Sequence, residues 1–455
     1  MTQRSINPAT GEQMEAFEPL GRGEMEDALE KGAAAASRWA AEPFTERGGL
    51  LAKMAGHLRE HSQELARLMS REMGKLLGEA EGEVEKCAWV CDHYAEHGQA
   101  YLEDETIVSD ASRSLVAYEP LGTVLAIMPW NFPLWQLFRC AAPALAAGNT
   151  VLLKHASNVP QCALAIEGLF DDVGAPAGVF QTLLIGSDQA GDVIADPRVH
   201  GVSLTGSDAA GRKVAALAGS HLKKLVLELG GSDAFVVLED ADVAAAAQVA
   251  VQSRFQNCGQ SCIAAKRFIV VEAVAEEFIA RFMEGATALE AGDPLDTGTT
   301  LAPMAREDLR DDLHKQVTDS VAAGAAVLTG GAAISNRPGW YYAPTVLDNV
   351  GPGMPAYHDE LFGPVASIIR ARDEADALAI ANDSRFGLGG SVWTADTTRG
   401  ERFARRMACG STFVNGLVKS DPRLPFGGIK DSGYGRELSR LGIREFVNAK
   451  TLWVA

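Results

Sequence analysis

The stretch GTVLAIMPWNFP, residues 122–133, sets the architecture of the chain. Thr123 to Met128 is an unbroken apolar and β-branched run, short and bounded by Gly122 and Pro129. That is how a strand buried on both faces reads. The pattern returns downstream, where 150–154, 179–185, 199–204 and 223–229 are further apolar strands, separated by helical spacing over 159–173 and 207–219. Strands alternating with helices predict a parallel, doubly wound sheet whose ligand lies at the carboxyl ends of the strands. Pro129–Pro133, Lys154–Ser157, Gly206–Ser207 and Glu228–Gly231 fall at those ends, and one crevice should collect all four.

After Ser232 a second α/β unit begins, with strands predicted at 234–238, 267–271, 325–328, 341–347, 364–370 and 390–394. Its helices are predicted at 242–255, 274–289, 305–323, 373–382 and 396–407. Upstream lie three helical stretches: Met25 to Trp39, Leu50 to Leu58 continued by Leu65 to Met69, and Val84 to Ala95. They read as a helical layer without visible chemistry. Residues 106–117 and the run Thr451 to Val454 read as edge strands that pair with another subunit. The resulting division is a first domain over 1–230, carrying a protruding strand segment at about 106–120, a second over 231–424, and a return segment with a C-terminal strand over 425–455.

With 455 residues, 47% hydrophobic and 22% charged, the chain is long enough for more than one core. Lys+Arg 41 against Asp+Glu 60 gives a net charge of −19, which argues against nucleic acid or an anionic membrane as partner. An anionic substrate would need a local cation in that field. The start MTQRSINPATGEQ has no apolar core of a signal peptide, and no run approaches a membrane span. Seven cysteines without a repeating frame fit a reduced cytoplasmic chain. Cys87 and Cys91 stand at i, i+4 but lack partners at metal-ligand spacing, so no metal is expected.

Chemistry concentrates in QNCGQSCIAAKRFIVV, residues 256–271. Cys262 follows a Gly-Gln-Ser turn rather than sitting in a core strand, and a thiol is the best neutral-pH nucleophile among side chains. Asn131, between Trp130 and Phe132, is placed either to donate to an oxyanion or to suit the turn. Glu228 ends an apolar strand. Burial would raise its pKa, which suits a general base, although a capping or ion-paired role reads equally. Thr205-Gly206-Ser207 opens a helix and offers an anion site, or is an ordinary βα turn. Arg139 lies in the apolar segment WQLFRCAAPAL and is either ion-paired within the fold or reserved for an anionic ligand.

Together, PWNFPL (129–134), GNTVLLKHAS (148–157), LTGS (204–207), ELGG (228–231), GQSC (259–262), ELFGPV (360–365) and PFGGIKDSGYGRE (425–437) resemble the aldehyde dehydrogenase superfamily, in its order and over nearly the whole chain. MPWNFPLWQ, LLKH, NCGQSCIAAKRFIV and FGGIKDSGYGRE are most similar to the bacterial succinate-semialdehyde dehydrogenases. The resemblance implies an α/β aldehyde-dehydrogenase-like fold with a cofactor domain, a catalytic domain and a β-segment for oligomerisation. Cys262 would attack the aldehyde, Asn131 and the Cys262 N–H would hold the oxyanion, and Glu228 would activate the hydrolytic water. Trp130, Leu229, Gly230, Glu360 and Phe362 would surround the nicotinamide and its ribose. Lys154 would meet the adenosine ribose, with Gly206 and Ser207 near the pyrophosphate.

NAD-preferring relatives often place a glutamate where this chain has Ser157. A hydroxyl can donate to a 2′-phosphate and Lys154 can pair with it, so NADP should be preferred over NAD. Arg139 matches the arginine that binds the substrate's distal carboxylate, with Ser420 as second contact. Gln256 stands where some relatives carry another arginine. Trp135 and Phe426 either narrow the substrate tunnel or are plain core. Cys258 is either a reversible disulfide partner of Cys262 or a buried thiol.

The expected activity is oxidation of succinate semialdehyde by a homodimer or homotetramer. Rivals are a dehydrogenase for another aldehyde, a cysteine hydrolase, and a non-catalytic protein on the same fold. No histidine motif supports the hydrolase, and both Cys262 and Glu228 are present.

Overall fold

The computed structural model describes residues 2–455. The first sheet has, in spatial order, Gly433–Tyr434, Lys224–Glu228, Val199–Thr205, Thr123–Met128, Thr150–His155 and Phe180–Thr182. All neighbours are parallel except the pair made by Gly433–Tyr434. The central strands are buried along nearly their whole length, as their continuous apolar character requires. Their register aligns the carboxyl ends: Ile127 pairs with both Lys154 and Leu204, and Thr205 pairs with Glu228. The four stretches anticipated at one sheet edge therefore do end there.

The second sheet runs Ala326–Thr329, Thr345–Asp348, Val365–Ala371, Ala265–Val271, Asp233–Val237, Gly389–Trp393 and Ser411–Val414, parallel except at its first strand. A core of its own extends from Ala234 to Met407. The expected strand at 341–347 is only Thr345–Asp348, and the one at 179–185 is only Phe180–Thr182. Ser411–Val414 is a seventh strand, in a stretch the sequence reading left without an element. In the third sheet Val447–Val454 pairs antiparallel with Arg113–Pro120, which also pairs with Glu105–Thr106. The outer strand leaves Leu452, Trp453 and Val454 exposed.

The N-terminal region departs from expectation in two ways. A hairpin of Gln3–Ile6 and Gln13–Phe17 brackets the Asn7 turn, whose Oδ1 accepts the Ala9 N–H. The middle helical stretch is two helices, Phe44–Glu60 and Ser62–Glu72, broken at His61. The last helix, Leu77–Tyr101, packs against the wholly buried helix Trp135–Ala147. That contact carries the helical layer to the edge of the functional site. Among the described residues no helix is long and apolar enough to cross a membrane.

Candidate active site

A cavity of about 240 Å3 opens at the carboxyl ends of the first sheet, where the second domain's loop meets it. Trp130, Asn131, Gly206, Ser207, Glu228, Leu229, Gly230, Cys262, Glu360 and Phe362 all line it. Three of the four expected stretches are thus collected. The fourth is not: Lys154–Ser157 lies at the same strand ends, but Ser157 is exposed on a neighbouring groove with Asn158, Arg306 and Trp340. The backbone turns away after His155, whose ring is pinned to the Pro133 carbonyl at 2.9 Å.

The cysteine loop is built under strain. Asn257, Cys258 and Gly259 have φ of 51°, 55° and 72° in succession, and non-glycine residues in this region cost about 1–2 kcal/mol each. Fixed bonds hold them. Asn257 N–H donates to Glu79, and its amide donates to the Asn131 and Gln260 carbonyls. Buried Arg254 donates to the Gly259 and Ala265 carbonyls. Lys266, fully buried, donates to the carbonyls of Ser261 and Cys262 at 2.8 and 2.7 Å and pairs with Glu360 at 3.2 Å. Arg254 and Lys266 were not anticipated, although basic residues flanking or inside an apolar run such as AAKRFIV signal buried, fully used charge.

Cys262 is part-exposed to the cavity. Burial pushes its thiol up to about 12, against the pull of Arg139 and Lys266. Asn131 Nδ2 donates to the Gln260 carbonyl at 2.9 Å while its Oδ1 accepts from Gln136 at 3.0 Å. The amide is locked in orientation with a second N–H proton to spare, as an oxyanion donor must be. Cys258 belongs to the core of the second domain, whereas Cys262 packs against that of the first. Both are free thiols.

Glu228 is buried at 2% exposure, and neither carboxyl oxygen has a hydrogen-bond partner among the described residues. Burial first, then Glu437, raise its pKa well above the ordinary value, with Arg139 opposing. The return segment creates this setting. Gly433 pairs with Glu228, and a Cβ on Gly427 would stand 2.7 Å from Glu228 Oε1. Only glycine lets that backbone close over the carboxyl group.

The same segment also holds Arg139. Arg139 is 2% exposed and ion-paired to Glu437, itself 4% exposed. Its guanidinium lies over the Phe426 ring at 4.4 Å and reaches Thr205 Oγ1 at 3.4 Å. Burial opposes its charge, but the carboxylates of Glu437 and Glu228 outweigh burial and raise its pKa. Its ion-pair partner lies in the GRE of the return segment. Phe426, stacked under it, is core.

The dinucleotide fits the residues present. Ser207 caps the helix Asp208–Ser220, whose N-terminus faces the cavity side and favours an anion. Trp130 and Phe362 meet edge to face with centroids 5.8 Å apart, an apolar clamp for a flat ring. A Cβ on Gly230 would stand 2.3 Å from Glu360 Oε2, so the glycine admits the carboxylate that Gly231 N–H and Lys266 hold at the cavity wall. Lys154 has no hydrogen-bond or ion-pair partner among the described residues, and burial lowers its pKa. An unpaired, partly desolvated ammonium favours an anionic group beside it.

A second cavity, about 210 Å3, lies across the segment 131–135. Lys75, Glu79, Glu83, Lys86, Phe132, Trp135, Gln256 and Asn257 line it. Trp130 and Asn131 thus serve one side of the PWNFPLW partition, and Phe132 and Trp135 the other. Ser420, buried, adjoins the second cavity through Lys86.

These are the features of a thiol-dependent dehydrogenase, and the chain belongs to the aldehyde dehydrogenase family, whose profile matches residues 1–452. It is 51% identical over 455 residues to "Probable succinate-semialdehyde dehydrogenase [NADP(+)]" of Synechocystis, covering 100% of both chains. It is 49% identical to "Succinate semialdehyde dehydrogenase [NAD(P)+] Sad" of Escherichia coli K12, over 99% of this chain and 97% of that one. The structure of succinic semialdehyde dehydrogenase from Streptococcus pyogenes in complex with NADP+ superposes with a TM-score of 0.97 at 38% identity, covering 99% of each chain.

Proposed function

We propose that this protein oxidises succinate semialdehyde to succinate with NADP+. The observation that carries this reading is full-length similarity to enzymes so named, joined to a cavity lined by Cys262, Asn131 and Glu228. NADP+ supplies the hydride acceptor. Cys262, after its thiol proton has left to solvent, adds as thiolate to the aldehyde carbon, and the oxyanion is received by the spare Asn131 N–H and the Cys262 N–H. Loss of hydride leaves a thioester on Cys262. Glu228, in its anionic form, takes a proton from the water that cleaves it. Lys154 and Ser157 are proposed to hold the 2′-phosphate, Gly206 and Ser207 the pyrophosphate, and Trp130, Leu229, Gly230, Glu360 and Phe362 the nicotinamide half.

Self-association is part of the reading, since the strand Val447–Val454 presents exposed Trp453 and Val454 on a three-stranded sheet. The proposed setting is the cytoplasm, where the seven free cysteines stay reduced. The test is reduced-nicotinamide formation from succinate semialdehyde and butyraldehyde, with NADP+ and with NAD+, for wild type and Cys262→Ala. Preference for the carboxylated aldehyde and NADP+, abolished in the variant, is the expected result. Equal rates with both aldehydes would discard the substrate, and Cys262-independent turnover would discard the mechanism.

A further inference from the structure

Behind Cys262 lies a buried ammonium that the reaction above does not use. Lys266 stands near the start of Ala265–Val271, the central strand of the second sheet, and its side chain is fully buried. Its three N–H donors meet three oxygens. Two are the Ser261 and Cys262 carbonyls, and the third is Glu360 Oε1. Burial lowers the Lys266 pKa, and Glu360, then Asp233, oppose that loss of charge. A lone ammonium buried there would be costly. Of the two acids only Glu360 is ion-paired with it among the described residues. Asp233 gives its Oδ1 to the Gly389 N–H at 3.0 Å.

The two oxygens of Glu360 are not equivalent. Oε1 accepts the Gly231 N–H at 3.0 Å and pairs with Lys266 at 3.2 Å. Oε2 lies against Gly230, where only a glycine leaves room for it, and has no hydrogen-bond partner among the described residues. The Glu360 side chain is 19% exposed and lines the cofactor cavity with Trp130, Leu229 and Phe362. One oxygen is therefore anchored in the protein and the other presented to the cavity.

We propose that Lys266 is the positioning residue for Glu360. It fixes the carboxylate against the cysteine loop with Oε2 free, and so sets the affinity of the cavity for the nicotinamide half of the dinucleotide. Because the same ammonium holds the Ser261 and Cys262 carbonyls, the nucleophile's loop and the cofactor's carboxylate share one anchor. The inference deepens the functional reading above. It rests on the cofactor assigned there and not on the identity of the aldehyde.

Isothermal titration calorimetry of NADP+ and of NAD+ reads the effect without turnover. The proteins are wild type, Lys266→Gln, Glu360→Gln and the double variant. Each single variant should raise Kd about 10-fold or more, the range of a hydrogen bond to a charged group. The factor should be the same for both cofactors, because the half that meets Glu360 is common to them. The double variant should bind no more weakly than the weaker single variant, since the two residues act as one unit.

Lys266→Gln keeps a donor for the loop carbonyls and removes the charge. Lys266→Met, a stem of similar length without the charge, is the second variant should the first not fold, and the same loss is expected. Losses that add in the double variant would make Lys266 a support of the cysteine loop alone and overturn the proposal. A wild-type Kd in either single variant, or an effect confined to NADP+, overturns it too. A wild type that binds neither dinucleotide overturns the cofactor reading itself.

Discussion

The two cavities on either side of the partition 131–135 differ in how they are made. The cofactor side is assembled from strand ends and their following turns, and most of its wall comes from short contiguous motifs: Pro129–Asn131, Thr205–Ser207 and Glu228–Gly230. The second cavity is assembled from a helix of the N-terminal layer and the flank of the cysteine loop, with a distant C-terminal loop reached through Lys86. Parallel strands bring their carboxyl ends into one line by register alone. Nothing comparable aligns Lys86 with Ser420, which are 334 residues apart. The difference teaches that a cavity built on parallel strand ends is written in local motifs, whereas one built between distant elements is not.

Replacing the base should separate the two sides most sharply. Glu228→Gln is expected to slow steady-state turnover about 10^2- to 10^4-fold, the range for loss of general base catalysis. A first-turnover burst of NADPH should survive, with the succinyl thioester on Cys262 visible by intact mass. Loss of the burst together with turnover would place Glu228 in the first half-reaction instead.

Arg139→Met should act on stability rather than on selectivity. Breaking a buried pair costs about 3–5 kcal/mol, and here it leaves Glu437 uncompensated near Glu228. Urea unfolding should show the loss, while the ratio of rates on succinate semialdehyde and butyraldehyde stays near wild type. A stable Arg139→Met that no longer prefers the carboxylated aldehyde would return the substrate role to Arg139.

The thiol offers a pH test. Burial raises an acid's pKa, so below about 12 the Cys262 thiolate fraction grows about tenfold per pH unit. Alkylation of Cys262 by iodoacetamide in the absence of cofactor should therefore rise through pH 7 to 10 without a plateau. A plateau near neutrality would mean that a nearby group already holds the thiolate. The smallest effect is expected on the cofactor side: Ser157→Glu should lower the NADP+ to NAD+ preference about tenfold or more, by like-charge repulsion of the 2′-phosphate beside Lys154. An unchanged preference would move phosphate recognition away from this turn.

Much of the first sheet and its cavity was legible because the signals are local. Thr123–Met128 and Thr150–Lys154 announce buried strands by composition, and Asn131, Glu228 and Cys262 sit in turns next to them. The helix Leu77–Tyr101 was legible only over Val84 to Ala95, as part of a layer without visible chemistry, and Glu79, Glu83 and Lys86 gave no local signal of chemistry. Their spacing of i, i+4 and i+7 marks one stripe, and the stripe next to buried Val84 and Cys87 was the available hint. Arg139 was left open between an ion pair and a ligand role. The resemblance implies the second, and the packing adds an ion pair with Glu437.

The sequence by itself determined the class of fold and pointed to Cys262, Glu228 and Asn131 as the candidate nucleophile, base and oxyanion donor, because periodicity and turn chemistry act over a few residues. Tertiary structure alone decided which charges are spent and which are free. An ion pair such as Arg139 with Glu437 or Lys75 with Glu83 forms only when packing brings both partners out of water. Which cations lack an ion-pair partner among the described residues, Lys154 and Lys86 among them, is therefore a property of the folded chain.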